Sequence, residues 1–447
     1  MPKNLIRSFL IVVLILWGVI FFTLKWLKAD EPLSKDANEL LAMVQFYDPN
    51  LKQDPYFYML GFDARKDIDP QVLGREKYQF GWNEFYKNKI SWNGERTKDP
   101  IFIKIQESTG VFLKPKDEEL LKELNRDDSL QQTYQGILKH RSDLQRIYQQ
   151  QTLLNQRYQK YLMLKPSDRI LLTSISGATP NYILIAHAHY LYILHLTLNG
   201  NIHALTQYTE QLILKNQHAS SLIHKMFIHK MISQNISILN EFNRSQLKKI
   251  KKISQLTPKQ MSIRTAMADE FGGSVAQFNQ IGGVEYNLFE KLDENGKFKE
   301  QTGLASYVYK KVKPYLYLPQ MTENRYANYM MPAILLSEKS DPKFKKSLMH
   351  LNQNVENSWS VKNFFGKKLA DIANPNWTFY AVRLRLLNQK IHVLNVLVQN
   401  RKIDLKQLNK NQQGFEYYEK NGELCFKSPD PEGTEANEKR YRSCLKI

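Results

Sequence analysis

Ser8 to Leu24 reads SFLIVVLILWGVIFFTL, an apolar run without one charged residue, and no other stretch constrains the chain as strongly. A helix of this composition belongs in lipid. At about 1.5 Å per residue it covers roughly 25 Å, the short end for a hydrocarbon core of about 30 Å. Leu5 and Ile6 lengthen the span when Arg7 snorkels to the interface. Trp26 stands where an interfacial aromatic belongs, between Lys25 and Lys28. A cleaved signal peptide is the rival reading, with Lys3 and Arg7 as its charged n-region. However, the run is longer than a usual h-region and no A-x-A site follows. A cut after Ala29 would put bulky Leu27 at the −3 place. The expectation is an uncleaved, single-pass transmembrane helix over residues 1–28.

Flanking charge nearly cancels, so the positive-inside rule leaves orientation open. Two other features favour a body outside the cytoplasm. The span is the first element of the chain, as in a signal anchor. The two cysteines, Cys425 and Cys444, also lie close together in sequence. A lone pair so placed suits an oxidising compartment, whereas two unrelated thiols in a reducing one is the alternative. A disulfide here closes a loop of about 20 residues and stabilises by roughly 3 kcal/mol. The expected location is the inner (plasma) membrane of a bacterial envelope, with the C-terminal body in the periplasm.

Beyond the anchor, about 415 residues remain, enough for two or three domains or one elongated body. The apolar fraction of 42% and aromatic fraction of 12% describe a folded chain. The formal charge is +19, of which Lys3, Arg7, Lys25 and Lys28 supply only four units. A basic envelope protein attracts anionic headgroups and wall polymers. Nucleic acid is the other common polyanion, but no recognition motif accompanies the charge, so it is disfavoured.

Pattern divides the rest. Residues 29–115 read as a linker followed by an aromatic-rich mixed cap, with IFIKI at 101–105 as a candidate strand and Asn93-Gly94 as a turn. Core packing explains these aromatics better than a glycan-binding face. Residues 116–290 read as a helical domain. Asp127-Asp128 can cap one long helix ending before Pro166, with Tyr134, Leu138, Leu144, Tyr148, Leu154, Tyr158 and Leu162 near helical spacing. Ile170 to Thr209 contains no Asp, Glu, Lys or Arg, and NYILIAHAHYLYILHLTL is apolar all round. Such a helix is a buried centre or a second span, and its three histidines favour burial. Helix, Gly200-Asn201 turn and helix resemble one α-solenoid unit, although no fixed period repeats. Thr257-Pro258 starts a helix expected to stop at Gly272-Gly273. Residues 291–345, with four prolines, read as a loop-rich connection, and 346–409 as a helical segment. Residues 410–447 read as a β-hairpin element with the disulfide, because Asn421-Gly422 fits a type I′ turn.

Chemistry-bearing constellations are thin. Seven of ten histidines fall between His187 and His229. Imidazoles ligate metals, and His187, His195 and His203 are the candidates for such a site. Yet there is no H-E-x-x-H and no His pair at i, i+4, and Glu210 is the lone carboxylate among them, so hydrogen-bonded core histidines are the simpler reading. From Phe242 to Ala268 no acid interrupts Arg244, Lys248, Lys249, Lys251, Lys252 and Lys259, a basic contact surface for anionic lipid, wall polymer or a protein. No P-loop, G-x-G-x-x-G or G-x-S-x-G occurs, so no cofactor is expected. Ser245 and Lys248 match S-x-x-K without its companion motifs, and Glu270 is an unsupported candidate acid.

The sequence therefore predicts a mainly α protein: an N-terminal transmembrane helix, a multi-helix body that could stack as a solenoid, and a small C-terminal antiparallel β-element. The expected role is a scaffold or accessory factor that binds another envelope component through a helical, basic surface. The alternatives are an envelope enzyme acting on peptidoglycan or lipid, and a membrane-tethered steric chaperone for a secreted protein.

Overall fold

The computed structural model describes residues 3–45, 54–86, 99–110, 112–124, 136–165, 170–172, 179–242, 252–282, 291–292, 298–299, 315–350, 362–399, 403–411, 415–427 and 444–447. The Asn93-Gly94 turn and the Asp127-Asp128 cap lie outside them. In chain order the elements are α1 (Lys3–Lys28), α2 (Lys35–Met43), β1 (Val44–Gln45), α3 (Pro55–Leu60), α4 (Pro70–Tyr86), α5 (Pro100–Glu107) and α6 (Pro115–Leu124). Next come α7 (Arg141–Gln150), α8 (Thr152–Met163), β2 (Ile170–Leu171), α9 (Tyr182–Leu198), α10 (Ile202–Gln217), α11 (Leu222–Glu241), α12 (Pro258–Met261) and α13 (Arg264–Gly282). The chain continues with β3 (Lys291–Leu292), β4 (Phe298–Lys299), α14 (Pro319–Ser337), α15 (Asp341–His350), α16 (Phe364–Ile372), α17 (Thr378–Gln399) and α18 (Leu405–Asn411). It ends in β5 (Tyr417–Lys420), β6 (Glu423–Phe426) and β7 (Cys444–Lys446).

Among the described residues α1 is the one helix long and apolar enough to cross a membrane, with a mean hydropathy of 2.0 over Ile11–Lys28 and none of that window buried. The residues after it are strapped to the body. The Asp30 carboxylate accepts from the backbone N–H groups of Gln320 and Met321, each at 2.9 Å. These are orphan donors in the first turn of α14, where a negative charge is also favoured by the helix dipole. Asn324 Oδ1 accepts from the Ser34 N–H at 2.7 Å, and its Nδ2 donates to Glu31 and to the Pro32 carbonyl. Lys28 Nζ lies 4.5 Å from the centroid of the Tyr315 ring.

Two large apolar clusters build the body. The first is centred on α9, whose residues Ile185, Ala188, Leu191, Ile193 and Leu194 are buried on several sides. It packs against α7, α8, α10 and α11. Burial, not a second span, satisfies this helix. Asn181 and Asn201 cap α9 and α10 through their side chains, and Gly200 takes the positive φ of 63° that the intervening turn needs. The second cluster joins α2, α13, α14, α16 and α17 around Phe271, Tyr326, Met330 and Leu384. Here α2 meets α13 and α14, and α11 meets α17, so packing joins segments far apart in sequence as well as neighbours. The cap aromatics are interior: Phe57, Tyr58, Tyr78 and Trp82 are each about 1% exposed.

The C-terminal β-element forms as predicted. Strands β5, β6 and β7 are antiparallel, and Asn421 and Gly422 have φ of 53° and 72°. Cys425 faces Cys444 in the register and is disulfide-bonded to it. Leu424, Phe426 and Leu445 bury the sheet on the first cluster.

Several expectations are corrected. Residues 101–105 are helical, because Asp99 caps α5 by accepting from the Ile101 N–H and Pro100 occupies its first turn. The loop-rich reading of 291–345 fails over α14 and α15. Pro319 sits at N1, where no N–H is required, and Pro332 is accommodated at an exposed position. The long helix before Pro166 breaks at Gln151 into α7 and α8, and Asn155 Nδ2 donates to the Tyr148 carbonyl across the break at 2.7 Å. Gly272-Gly273 does not stop α13. A Cβ at Gly272 would stand only 3.1 Å from the Leu172 side chain and 3.2 Å from Val44, so the glycine serves close packing beside β1 and β2.

The tightest backbone approach is between α3 and α4, where a Cβ on Gly74 would fall 1.7 Å from the Phe57 carbonyl oxygen. Gly74→Ala is expected to cost about 1–3 kcal/mol or more by overpacking. Thermal unfolding checks this, and an unchanged Tm would mean that the two helices are farther apart.

Candidate functional site

The histidine-rich stretch resolves into separate environments. His187 is buried on α9, and burial lowers its pKa. His195 stacks on Tyr148 with ring centroids 3.9 Å apart, and His203 is exposed on α10. The three metal candidates do not form a close ligand group. Among the described residues the one group of His, Cys, Asp or Glu with ligand atoms close enough for a metal is Glu423, Cys425 and Cys444. Both of its sulfurs are committed to the disulfide. His189 joins a buried polar knot: Tyr158 Oη lies 2.9 Å from His189 Nδ1, Tyr208 Oη bonds both, and Met231 Sδ is 3.5 Å from Tyr158 Oη. His229 Nε2 donates to the Arg383 carbonyl of α17 at 2.9 Å. These histidines tie helices together.

One small cavity gathers titratable groups. It is lined by Asp54, Tyr56, Met59, Tyr161, Lys215, His218, Ser220 and His224, between α3, α8 and the α10–α11 turn. Lys215 Nζ donates to the Leu164 carbonyl at 2.9 Å and lies 4.9 Å from the centroid of the Tyr161 ring. Tyr161 Oη is 3.2 Å from His224 Nε2. Burial pushes Lys215 down to about 8 and His224 down to about 3, the latter helped by the charges of Lys215 and Lys225. Behind the cavity, buried Lys225 donates to the Asn216 carbonyl at 2.7 Å, and burial lowers it to about 7. No sequence spacing reveals this set, because its members come from three separate segments. The cavity volume is about 50 Å³. Asp54 Oδ1 already accepts from the Tyr56 N–H to cap α3.

The larger concavity is an open groove of about 680 Å³ on α14. Asn328, Pro332 and Leu335 recur on the exposed face of the helix, Lys339 follows just beyond its end, and Leu335 is 48% exposed. Met331 and Leu336 form the apolar floor, Asp36 of α2 stands on one rim, and Lys346 and Ser347 of α15 stand on the other. Lys339 Nζ donates to Ser347 Oγ at 2.8 Å, fixing that rim. Pro332 has no N–H for the Asn328 carbonyl one turn earlier, so the groove wall carries a backbone acceptor without its helical donor.

The predicted basic surface is described only in part. Arg244, Lys248, Lys249 and Lys251 lie outside the described residues, while Lys252 and Lys259 are exposed. The strand-like segment from Lys252 to Thr257 runs along α17. Asn395 exchanges two hydrogen bonds with Ile253, and Asn388 Oδ1 accepts from the Leu256 N–H at 2.7 Å. Glu210 accepts from the Ser254 N–H at 2.6 Å, which accounts for the lone carboxylate of the histidine stretch. Glu270 is half-buried, and burial raises its pKa. No family model, curated protein or solved structure matches this chain.

The buried histidines make a pH prediction. Burial lowers His189 to about 3 and His229 to about 4 from an ordinary 6.5. Below pH 6.5 the unfolded chain takes up protons that the folded chain refuses, so stability falls as pH falls and is unaffected by these groups above pH 7. The slope is at most about 1.4 kcal/mol per pH unit for each histidine. Denaturant unfolding of the detergent-solubilised chain between pH 7 and 5 is expected to show this decline, shallower in His229→Gln. A flat profile in both proteins would contradict the neutral burial of these rings.

Proposed function

We propose that this protein is a membrane-anchored scaffold or accessory factor of the cell envelope, which docks a segment of a partner protein in the α14 groove. The observation that carries this reading is the contrast between the two concave sites. The groove is large, open, apolar at its floor and charged at its rims. The cavity that gathers perturbed groups is far smaller, about 50 Å³. A partner backbone laid along α14 can donate to the Asn328 carbonyl, place an apolar side chain beside Leu335 and present a carboxylate to Lys346. The Cys425–Cys444 disulfide supports a body in an oxidising compartment, the periplasmic side of an inner membrane. Lys252 and Lys259 offer a secondary surface for anionic lipid or wall polymer. The prediction is that a photo-crosslinking residue at Leu335 in cells captures one envelope protein, and that Lys339→Glu with Lys346→Glu reduces capture. Absence of any adduct from position 335, with the protein folded and in the membrane, would remove the groove reading.

A second reading, an envelope enzyme, draws on the lowered Lys215 and His224 pKa values beside Tyr161. It requires the cavity to open. Lys215→Met would then abolish function in cells with an unchanged Tm. Retention of function together with stability would eliminate this alternative.

A further inference from the structure

Helix α16 sits at the root of the anchor. Lys362, which precedes it, places Nζ 5.3 Å from the centroid of the Trp26 ring, at the end of the apolar span. The placement is enforced by a chain of contacts. Asp30, two residues beyond α1, binds the first turn of α14 through Gln320 and Met321. Asn363, buried and in the left-handed conformation at φ 55°, accepts from the Leu318 N–H at 2.8 Å and donates to Thr322 Oγ1 at 3.1 Å. Gly366 lets α16 close onto α14, since a Cβ there would stand 1.9 Å from Thr322 Oγ1. The anchor, the start of α14 and the start of α16 therefore form one unit.

The outward face of α16 has the chemistry of a bilayer interface. Its exposed positions are Phe364, Lys368 and Ile372, spaced i, i+4, i+8 along one side, and Ile372 is 83% exposed. Gly366 and Ala370 are buried, and Phe365, Leu369 and Ala373 pack on the second core cluster. The one acidic residue of the helix, Asp371, is turned inward. It accepts from Arg325 Nε at 3.0 Å and from the Tyr329 hydroxyl. The free side carries apolar groups and a cation, with Lys367 beside it and no carboxylate.

We propose that α16 is a second membrane contact: an interfacial amphipathic helix that lays Phe364 and Ile372 among lipid headgroups, with Lys368 paired to anionic phosphate. This rests on α1 being membrane-embedded. Bilayer lipid is the occupant because the face begins at Phe364, two residues after Lys362, whose Nζ lies 5.3 Å from the Trp26 ring at the end of the apolar span. A face that sets apolar groups on either side of a lysine binds there through buried area plus electrostatic attraction. The two contacts would hold the body against the bilayer in a fixed orientation and set the height of the α14 groove above it.

The test uses the full chain in nanodiscs containing anionic lipid. The native cysteines are paired, so Ile372→Cys accepts an environment-sensitive fluorophore at one site. Trp26→Cys, labelled alike, reports the anchor. Lipids spin-labelled near the headgroup are expected to quench both labels, with a blue-shifted emission at 372 that weakens in Lys368→Glu. Quenching at 26 but not at 372 would overturn the proposal, and so would a blue-shifted yet unquenched label at 372, which would mean a protein surface covers it. Quenching at neither position would mean that α1 is outside the bilayer, and the anchor reading would fall with the proposal.

Discussion

Helix α9 is apolar on every side, and that constraint organises the body. Such a helix cannot rest on a surface, because each face left in water forfeits about 25 cal/mol per Å² of apolar area. It has to be wrapped, and α7, α8, α10 and α11 wrap it. Wrapping brings side-chain polar groups inward with the apolar ones. His189 Nδ1, Tyr158 and Tyr208 hydrogen-bond one another there, and His229 reaches a carbonyl of α17. His189 and His229 thus serve helix packing.

The second organising element is the junction at Asp30. A charged side chain on the first turn of α14 converts a linker into a strut. The apolar helix α1, the groove-bearing helix and α16 meet at that turn, so the span and the groove are geometrically linked. The groove lies on the exposed side of α14, and Asp36, at its rim, follows Asp30 by six residues. A partner bound there would be held close to the bilayer, which is the physical content of a scaffold at a membrane.

The fold was legible where local signals act alone. Asn421-Gly422 dictates its own turn, the spacing of Cys425 and Cys444 anticipates their pairing, and Gly200-Asn201 marks the turn between two helices. Reading failed where long-range packing overrides punctuation. Pro332 and Gly272 both look like breakers, yet one sits on an exposed helix face and the other makes room for Val44 and Leu172. The cavity was invisible for another reason: Asp54, Tyr161 and the Lys215–His224 turn come from separate segments, so no spacing relates them. The α14 groove was hidden because its helix was read as a loop.

The sequence by itself determined that one helix is long and apolar enough to cross a membrane, that another needs burial on most sides, and that residues 410–447 hold a disulfide-stapled hairpin. Each follows from composition or from a turn residue with few conformational options. Only the tertiary structure decided which surfaces stay open. The faces of α14 and α16 differ little from buried helices in their residues, and they are exposed because no other described element packs over them. Tertiary packing also decided the charges: Asp371 is neutralised inward while Lys368 remains outside, a distinction of direction that a linear sequence does not carry.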